Sequence, residues 1–315
     1  MNIWDTLPQP FFVLAPMDDV TDTVFRRVIA ECAAPDLFFT EFVNVDALQS
    51  QGREAALKRL QITDKERPII AQLWGLKPEN FKKTAAELAD MGFDGIDLNF
   101  GCPEKNVVRG GACSALMLPE NRERAGEIIE ACREGGSSLP LSVKTRLGFN
   151  DIDLGWHEWL FSQKLNALTI HGRTRKQMSK VPADWDVIGQ IAALRTALSP
   201  GTKIIGNGDV LTRAQGAELA KQHNLDGIMI GRGIFQDPFV FAAQSPWEGY
   251  SKAQKIELYR KHVELFAATW VQGERRIHTL NKFCKIYING FDGAKELREQ
   301  LMAANSTDEL FQLLK

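Results

Sequence analysis

The sequence has little cysteine and none of it is paired in spacing. Five cysteines, at 32, 102, 113, 132 and 284, stand far apart in 315 residues, with no C-x-x-C among them. An odd, scattered set argues against a disulfide framework, and the spacing of a zinc site or an iron–sulfur cluster is missing, so no metal is expected. No apolar run approaches the roughly 20 residues of a membrane span. The first nine residues are polar and include Asp5, unlike a secretory signal, and a cytoplasmic protein is expected. Charge of one sign is also lacking. A net charge of −2 and a pI near 6.3 give no global attraction for nucleic acid, though a local basic patch can hide in such an average. Finally, no G-x-G-x-x-G follows the first apolar run, which argues against a Rossmann dinucleotide site.

What is present is an ordinary globular composition, 44% hydrophobic and 25% charged, long enough for a large core and a small appendage. Short aliphatic runs at 11–17, 37–43, 68–75, 93–102, 139–147, 167–172, 203–207 and 227–231 read as strands, each ending in Gly, Pro or polar groups. Helical spacing appears at 81–91, 125–132, 187–198 and 213–223, with Pro78 placed where a helix start tolerates it. Eight strands alternating with helices over residues 1–243 predict an α/β fold, a (β/α)8 TIM barrel. Turn formers at 244–250 predict a linker. Residues 251–315 contain no convincing strand and read as a small C-terminal helical domain.

In such barrels chemistry sits where the strands end. Those ends carry Pro16 and Met17, Gln72, Asn99 with Cys102, Lys144 with Arg146, His171 with Arg173, Asn207-Gly208-Asp209, and Gly231-Arg232. Taken singly, each has a plain structural alternative. Gln72 reads equally well as a group satisfying buried backbone, and a lone histidine is more often structural than catalytic. Lys144 is harder to dismiss, because a lysine on a core strand needs a partner. The glycine-rich ends of strands seven and eight stand where barrels bind phosphate, and Arg232 adds charge there. A phosphorylated cofactor with an aromatic ring system follows, with Lys144 suited to the N1/O2 edge of a flavin. FMN is the better reading than NAD or FAD. Cys102, fixed by Pro103, is a candidate nucleophile or proton donor.

At these residues the chain resembles the tRNA-dihydrouridine synthases. Ala15-Pro16-Met17 with Val20-Thr21-Asp22 is similar to the family's opening motif, and Asp97-Leu98-Asn99-Phe100-Gly101-Cys102-Pro103 to its active-site signature. Ser142 to Gly148, His171 to Thr174, Gly206 to Asp209 and Ile230 to Gly233 follow in order, and Lys282, Lys285 and the stretch Ala294 to Arg298 extend the likeness into the tail. The resemblance implies an FMN enzyme, reduced by NADPH, that saturates the 5,6 double bond of particular uridines in tRNA. It makes Cys102 the general acid toward C5, after hydride has passed from flavin N5 to C6. A thiol of ordinary pKa, near 8.5, would be largely protonated at neutral pH. It assigns Pro16, Met17, Gln72, Lys144, His171, Asn207, Gly208, Asp209, Gly231 and Arg232 to the cofactor. Asn99, Arg146, Arg173, Lys282 and Lys285 go to the substrate side, Arg173 also reaching the flavin. Ser179 replaces a frequent Tyr, and the loop 176–182 is a candidate lid. Cys113 stands where the family usually has small residues only.

Between 251 and 290 eight basic residues face three acidic ones, which suits a phosphate backbone. A monomer is expected. One rival is an FMN barrel acting on a free pyrimidine or an enone, of the dihydroorotate dehydrogenase or old-yellow-enzyme type. A second is an RNA-binding barrel without FMN.

Overall fold

The computed structural model describes residues 2–315. Nine strand segments run parallel: β1 (Phe11–Leu14), β2 (Phe38–Phe39), β3 (Val43–Asn44), β4 (Ile69–Trp74), β5 (Gly95–Asn99), β6 (Leu141–Arg146), β7 (Ala167–His171), β8 (Lys203–Asn207) and β9 (Gly227–Ile230). Each pairs with its sequence neighbour from β4 to β9, and β9 pairs with β1. The bridge between Val13 and Leu37 brings β1 up to the second stave. The eight predicted strands are therefore the eight staves of a TIM barrel. The second stave is broken, however, into β2 and β3, both of which pair with β4.

Alternation along the strands sorts the core into two parts. Outward residues pack under the helices. Inward ones form a separate apolar plug in the lower barrel, including Trp4, Phe11, Phe39, Ile70, Ile205 and Met229. Trp4 enters from the N-terminal 3-10 turn Ile3–Asp5. Gly227 makes room for this plug, because a Cβ there would lie 2.2 Å from the Phe11 ring. Above it the inward positions turn polar: Gln72, Asp97, Asn99, Ser142, Lys144, Thr169, His171 and Asn207. Polarity thus rises toward the rim.

The predicted helices form as Pro78–Asp90, Arg122–Gly135, Trp185–Leu198 and Arg213–Gln222. Asp184 and Thr212 cap the last two through the N–H groups of Val187 and Gln215. Besides short turns of helix at Val45–Leu48, Arg53–Leu57 and Lys105–Arg109, two longer helices have no counterpart in the sequence reading. Thr23–Ala33, capped by Asp22, follows β1, and Leu154–Ser162, capped by Asp153, follows β6. The second buries Trp156, His157, Leu160 and Phe161 and exposes Gly155, Glu158 and Ser162, but its nine residues give barely two repeats of that stripe.

Beyond the barrel come helices Lys252–Thr269, Ile277–Asn281, Cys284–Tyr287, Ala294–Ala303 and Thr307–Leu313. They pack on helix Thr23–Ala33, where Phe25 stacks on Phe283 at 4.9 Å and meets His262 at 5.9 Å. The segment at 244–250 holds a 3-10 turn whose Trp247 is buried against Phe239 and Tyr250. Among the described residues no helix is long and apolar enough to cross a membrane.

Candidate active site at the barrel rim

A cleft of about 480 Å³ opens at the C-terminal end of the strands. Pro16 and Met17 wall one side, after β1, and Lys144 and Arg146 of β6 with His171 of β7 wall another. Asn207, Gly208 and Asp209 close it after β8, and Gly231 and Arg232 after β9. All the residues expected to hold a cofactor line it except Gln72. A smaller cleft of about 240 Å³ adjoins through Arg146, His171 and Arg232, and adds Pro103, Arg173, Met178 and Ser179.

The electrostatics are those of an anion site. Lys144, Arg146, Arg173 and Arg232 converge there. Lys144 Nζ has one hydrogen bond, to Asn207 Oδ1 at 3.2 Å, and burial, with Arg146 adding repulsion, pushes its pKa down to about 8. Burial and the surrounding cations hold His171 neutral, far below the usual imidazole range. Its Nδ1 is buried without a partner, as is Thr169 Oγ1 on the same strand. Buried polar atoms are rarely left unpaired, so these two mark places for ligand atoms. Asp209 accepts from Arg173, from Arg232 at 2.8 Å and from the Ala183 N–H at 2.9 Å. Burial works against its charge, but these hydrogen bonds and two guanidinium groups keep the carboxyl below its usual range. Gly208 has φ +136°, and a Cβ there would sit 2.6 Å from Ala183 Cβ, so only glycine fits.

Beneath the rim lies a buried polar row. Gln72 Nε2 donates to Asp97 Oδ2 at 2.7 Å and Ser142 Oγ to Asp97 Oδ1 at 2.6 Å. Asn99 Nδ2 donates to Gln72 Oε1 at 3.1 Å, while Asn99 Oδ1 accepts from the N–H groups of Gly101 at 3.1 Å and Cys102 at 2.9 Å. One amide hydrogen of Asn99 remains for a ligand. Sequence reasoning left Asp97 unassigned, although a carboxylate between Ile96 and Leu98 on a core strand was itself a signal. Cys102 is half-buried, on the loop just before Pro103. A hydrogen bond from Cys113 lowers its thiol, against the effect of burial, to about 7. That differs from the ordinary thiol expected from sequence. The other cysteines are free as well, three of them buried.

The loop 176–182 is tied down. Arg146 donates to the carbonyls of Thr174 and Met178 and, through Nε, to Gly101 at 2.7 Å. Arg173 Nε holds the Val181 carbonyl. Arg146 and Arg173 therefore staple three strand-end loops together. Lys282, expected on the substrate side, donates to the Asp19 carbonyl on the loop after β1. Lys285 is exposed. With Lys282, three of the tail's eight basic residues are used internally: Lys255 donates to the Asn289 carbonyl at 3.1 Å, and Arg275 pairs with Glu41.

A closed parallel barrel whose reactive side chains ring one cleft at the strand ends defines a TIM-barrel enzyme. The model of the family described as dihydrouridine synthase matches residues 13–315, and the chain belongs to that family. A Staphylococcus epidermidis protein called "Probable tRNA-dihydrouridine synthase" is 49% identical, across 99% of this chain and 95% of its own. A Bacillus subtilis "Probable tRNA-dihydrouridine synthase 2" is 47% identical over the same shares. Among solved structures, morphinone reductase in complex with tetrahydroNAD matches with a TM-score of 0.52 at 13% identity, over 76% of this chain and 89% of that one. Histamine dehydrogenase from Rhizobium sp. 4-9 matches with 0.56 at 15%, over 84% and 51%. These structural likenesses speak to the fold.

Proposed function

We propose that the protein reduces the 5,6 double bond of specific uridines in tRNA, using FMN reduced by NADPH. The observation that carries this is the pairing of a cation-lined cleft, with the unpartnered Nδ1 of His171 on its wall, and a lowered thiol on the adjoining loop. The residues present fit a flavin mononucleotide. Gly208, Gly231 and Arg232 suit its phosphate, and Lys144 and His171 suit the polar edges of its ring; Gln72, buried beneath with both carboxamide ends engaged, does not reach it. Bound there, a reduced flavin would supply the hydride that saturates the uracil ring.

The protein's own groups supply the rest. Cys102 gives its thiol proton to C5, and the Asn99 carboxamide keeps that loop in place while offering its free N–H to the base. Lys144, charged at neutral pH and poorly solvated, stabilises negative charge at the cofactor edge. The target base must leave its stack to reach the cleft, so an RNA loop is the natural substrate. Arg276, Lys261 and Lys285, exposed on the tail, would track its phosphates.

The test is anaerobic. Flavin-loaded protein is reduced with NADPH, mixed with unmodified tRNA transcript, and followed by flavin absorbance and by mass spectrometry of the RNA. Reoxidation coupled to a 2 Da gain on a uridine supports the reading. Reoxidation by a free pyrimidine or an enone, with tRNA inert, would replace it with a small-molecule reductase.

A further inference from the structure

We propose that Asp97 is a positioning residue for this reaction: its carboxylate sets the orientation of two carboxamides, Gln72 and Asn99, and through them the backbone that carries Cys102. The inference deepens the function proposed above and rests on it for the role of Cys102.

Three strands meet at one rung, with Gln72 beside Asp97 and Asp97 beside Ser142. Asp97 is fully buried. An ionised carboxylate only accepts hydrogen bonds, whereas a carboxamide has a donating and an accepting end. Asp97 therefore obliges Gln72 to turn its amino group inward, at 2.7 Å. Gln72 Oε1 must then face Asn99, and it accepts from Nδ2 at 3.1 Å. Asn99 in turn has its oxygen left for Gly101 and Cys102, whose N–H groups it receives at 3.1 and 2.9 Å. If Asn99 were flipped, an NH₂ would confront two N–H donors and the loop would have to move. The polarity of a single buried acid is thus transmitted over two side chains to the thiol-bearing turn.

A buried acid that served only to satisfy Ser142 would not need this ordering. Ser142 bonds the other oxygen, Oδ1, and takes no part in the relay. Burial raises the Asp97 carboxyl to about 6, with Ser142, Gln72 and Lys144 pulling it back down. Both of its oxygens accept hydrogen bonds, so it acts as the acceptor the relay requires.

The experiment measures Cys102 alkylation by iodoacetamide, read by peptide mass spectrometry on the full-length, flavin-loaded protein. Flavin content and flavin reduction by NADPH are measured alongside. In D97N the relay loses its polarity, because the new amide can donate to Gln72. The alkylation rate at Cys102 should change by about fivefold or more, the scale of one net hydrogen bond. S142A should leave that rate unchanged. The double variant D97N/Q72E moves the carboxylate one link along, presents an acceptor to Asn99 again, and should return the rate toward the wild-type value. If D97N does not fold, the double variant alone decides: a near-wild-type rate supports the relay, and an altered one overturns it. A wild-type rate in D97N, or an equal change in S142A, also overturns it. None of these readings uses tRNA, so an inert tRNA would defeat the proposed function while leaving the relay to stand or fall separately.

Discussion

At the scale of single residues, the site sets two charges against their usual solution behaviour. Cys102 is lowered to about 7, and Lys144 to about 8. A thiol donates only while protonated, so the rate of the tRNA-dependent half-reaction should fall as pH rises through about 7. Stopped-flow reoxidation between pH 6 and 9 checks this, and alkylation of Cys102 should rise over the same range. Lys144→Met removes the charge at the cofactor edge. We expect the reductive half-reaction to slow by about tenfold to a hundredfold, the scale of losing one electrostatic stabiliser, and the flavin midpoint potential to fall. Most of these groups were legible from sequence because their types are uncommon on buried strands: a lysine, a histidine and an amide each followed an apolar run. Asp97 was overlooked for the opposite reason. It stands inside the motif that drew attention to Cys102, and its role depends on which side of the barrel wall Gln72 and Ser142 share with it. Pairing register supplies that information and spacing does not.

At the scale of elements, the firmest contact between tail and rim is an ion pair. Arg275 reaches Glu41, with Asp22 and Asp19 at 3.6 Å, and its side chain is 8% exposed against 0% for Glu41. Burial raises the Glu41 carboxyl even with Arg275 beside it. Removing the guanidinium leaves that carboxylate buried without its countercharge, with the Asp19 N–H at 2.8 Å as its remaining donor, so Arg275→Ala should cost about 3 kcal/mol. The measurement is a urea melt, and the double variant R275A/E41Q should recover part of the loss. The strands and the four striped helices could be read ahead of the structure because alternation and three-to-four spacing are local properties. The break in the second stave could not, since β2 and β3 are defined by pairing with β4 rather than by their own residues. Helix Leu154–Ser162 escaped because nine residues, with exposed Leu154 among them, give too short a stripe to read.

At the scale of the whole molecule, the tail is not a loosely tethered module. The hydrophobic core runs from Phe25, Val28 and Ile29 of the first helix into Tyr259, Phe283 and Tyr287. Deleting 251–315 should therefore expose this surface and yield aggregated protein, which gel filtration would show. Its role in RNA binding is better probed by exposed charges. K261E, R276E and K285E together should raise KM for tRNA and flatten the salt dependence of binding by about two units of log–log slope, while NADPH reduction of the flavin stays unchanged. The sequence reading of a basic tail overcounted because Lys255, Arg275 and Lys282 serve the fold.

The central claim joins Cys102 to reduction of a uridine, and one measurement addresses both halves. Wild-type and Cys102→Ala proteins, each loaded with flavin and reduced by NADPH, are given the same unmodified tRNA under anaerobic conditions, and dihydrouridine is quantified by mass spectrometry. The account predicts dihydrouridine with the wild type, and at least about a hundredfold slower formation with the variant although its flavin binds and reduces normally, as removal of a general acid implies. Equal rates in the two proteins, or no dihydrouridine from either, would contradict it.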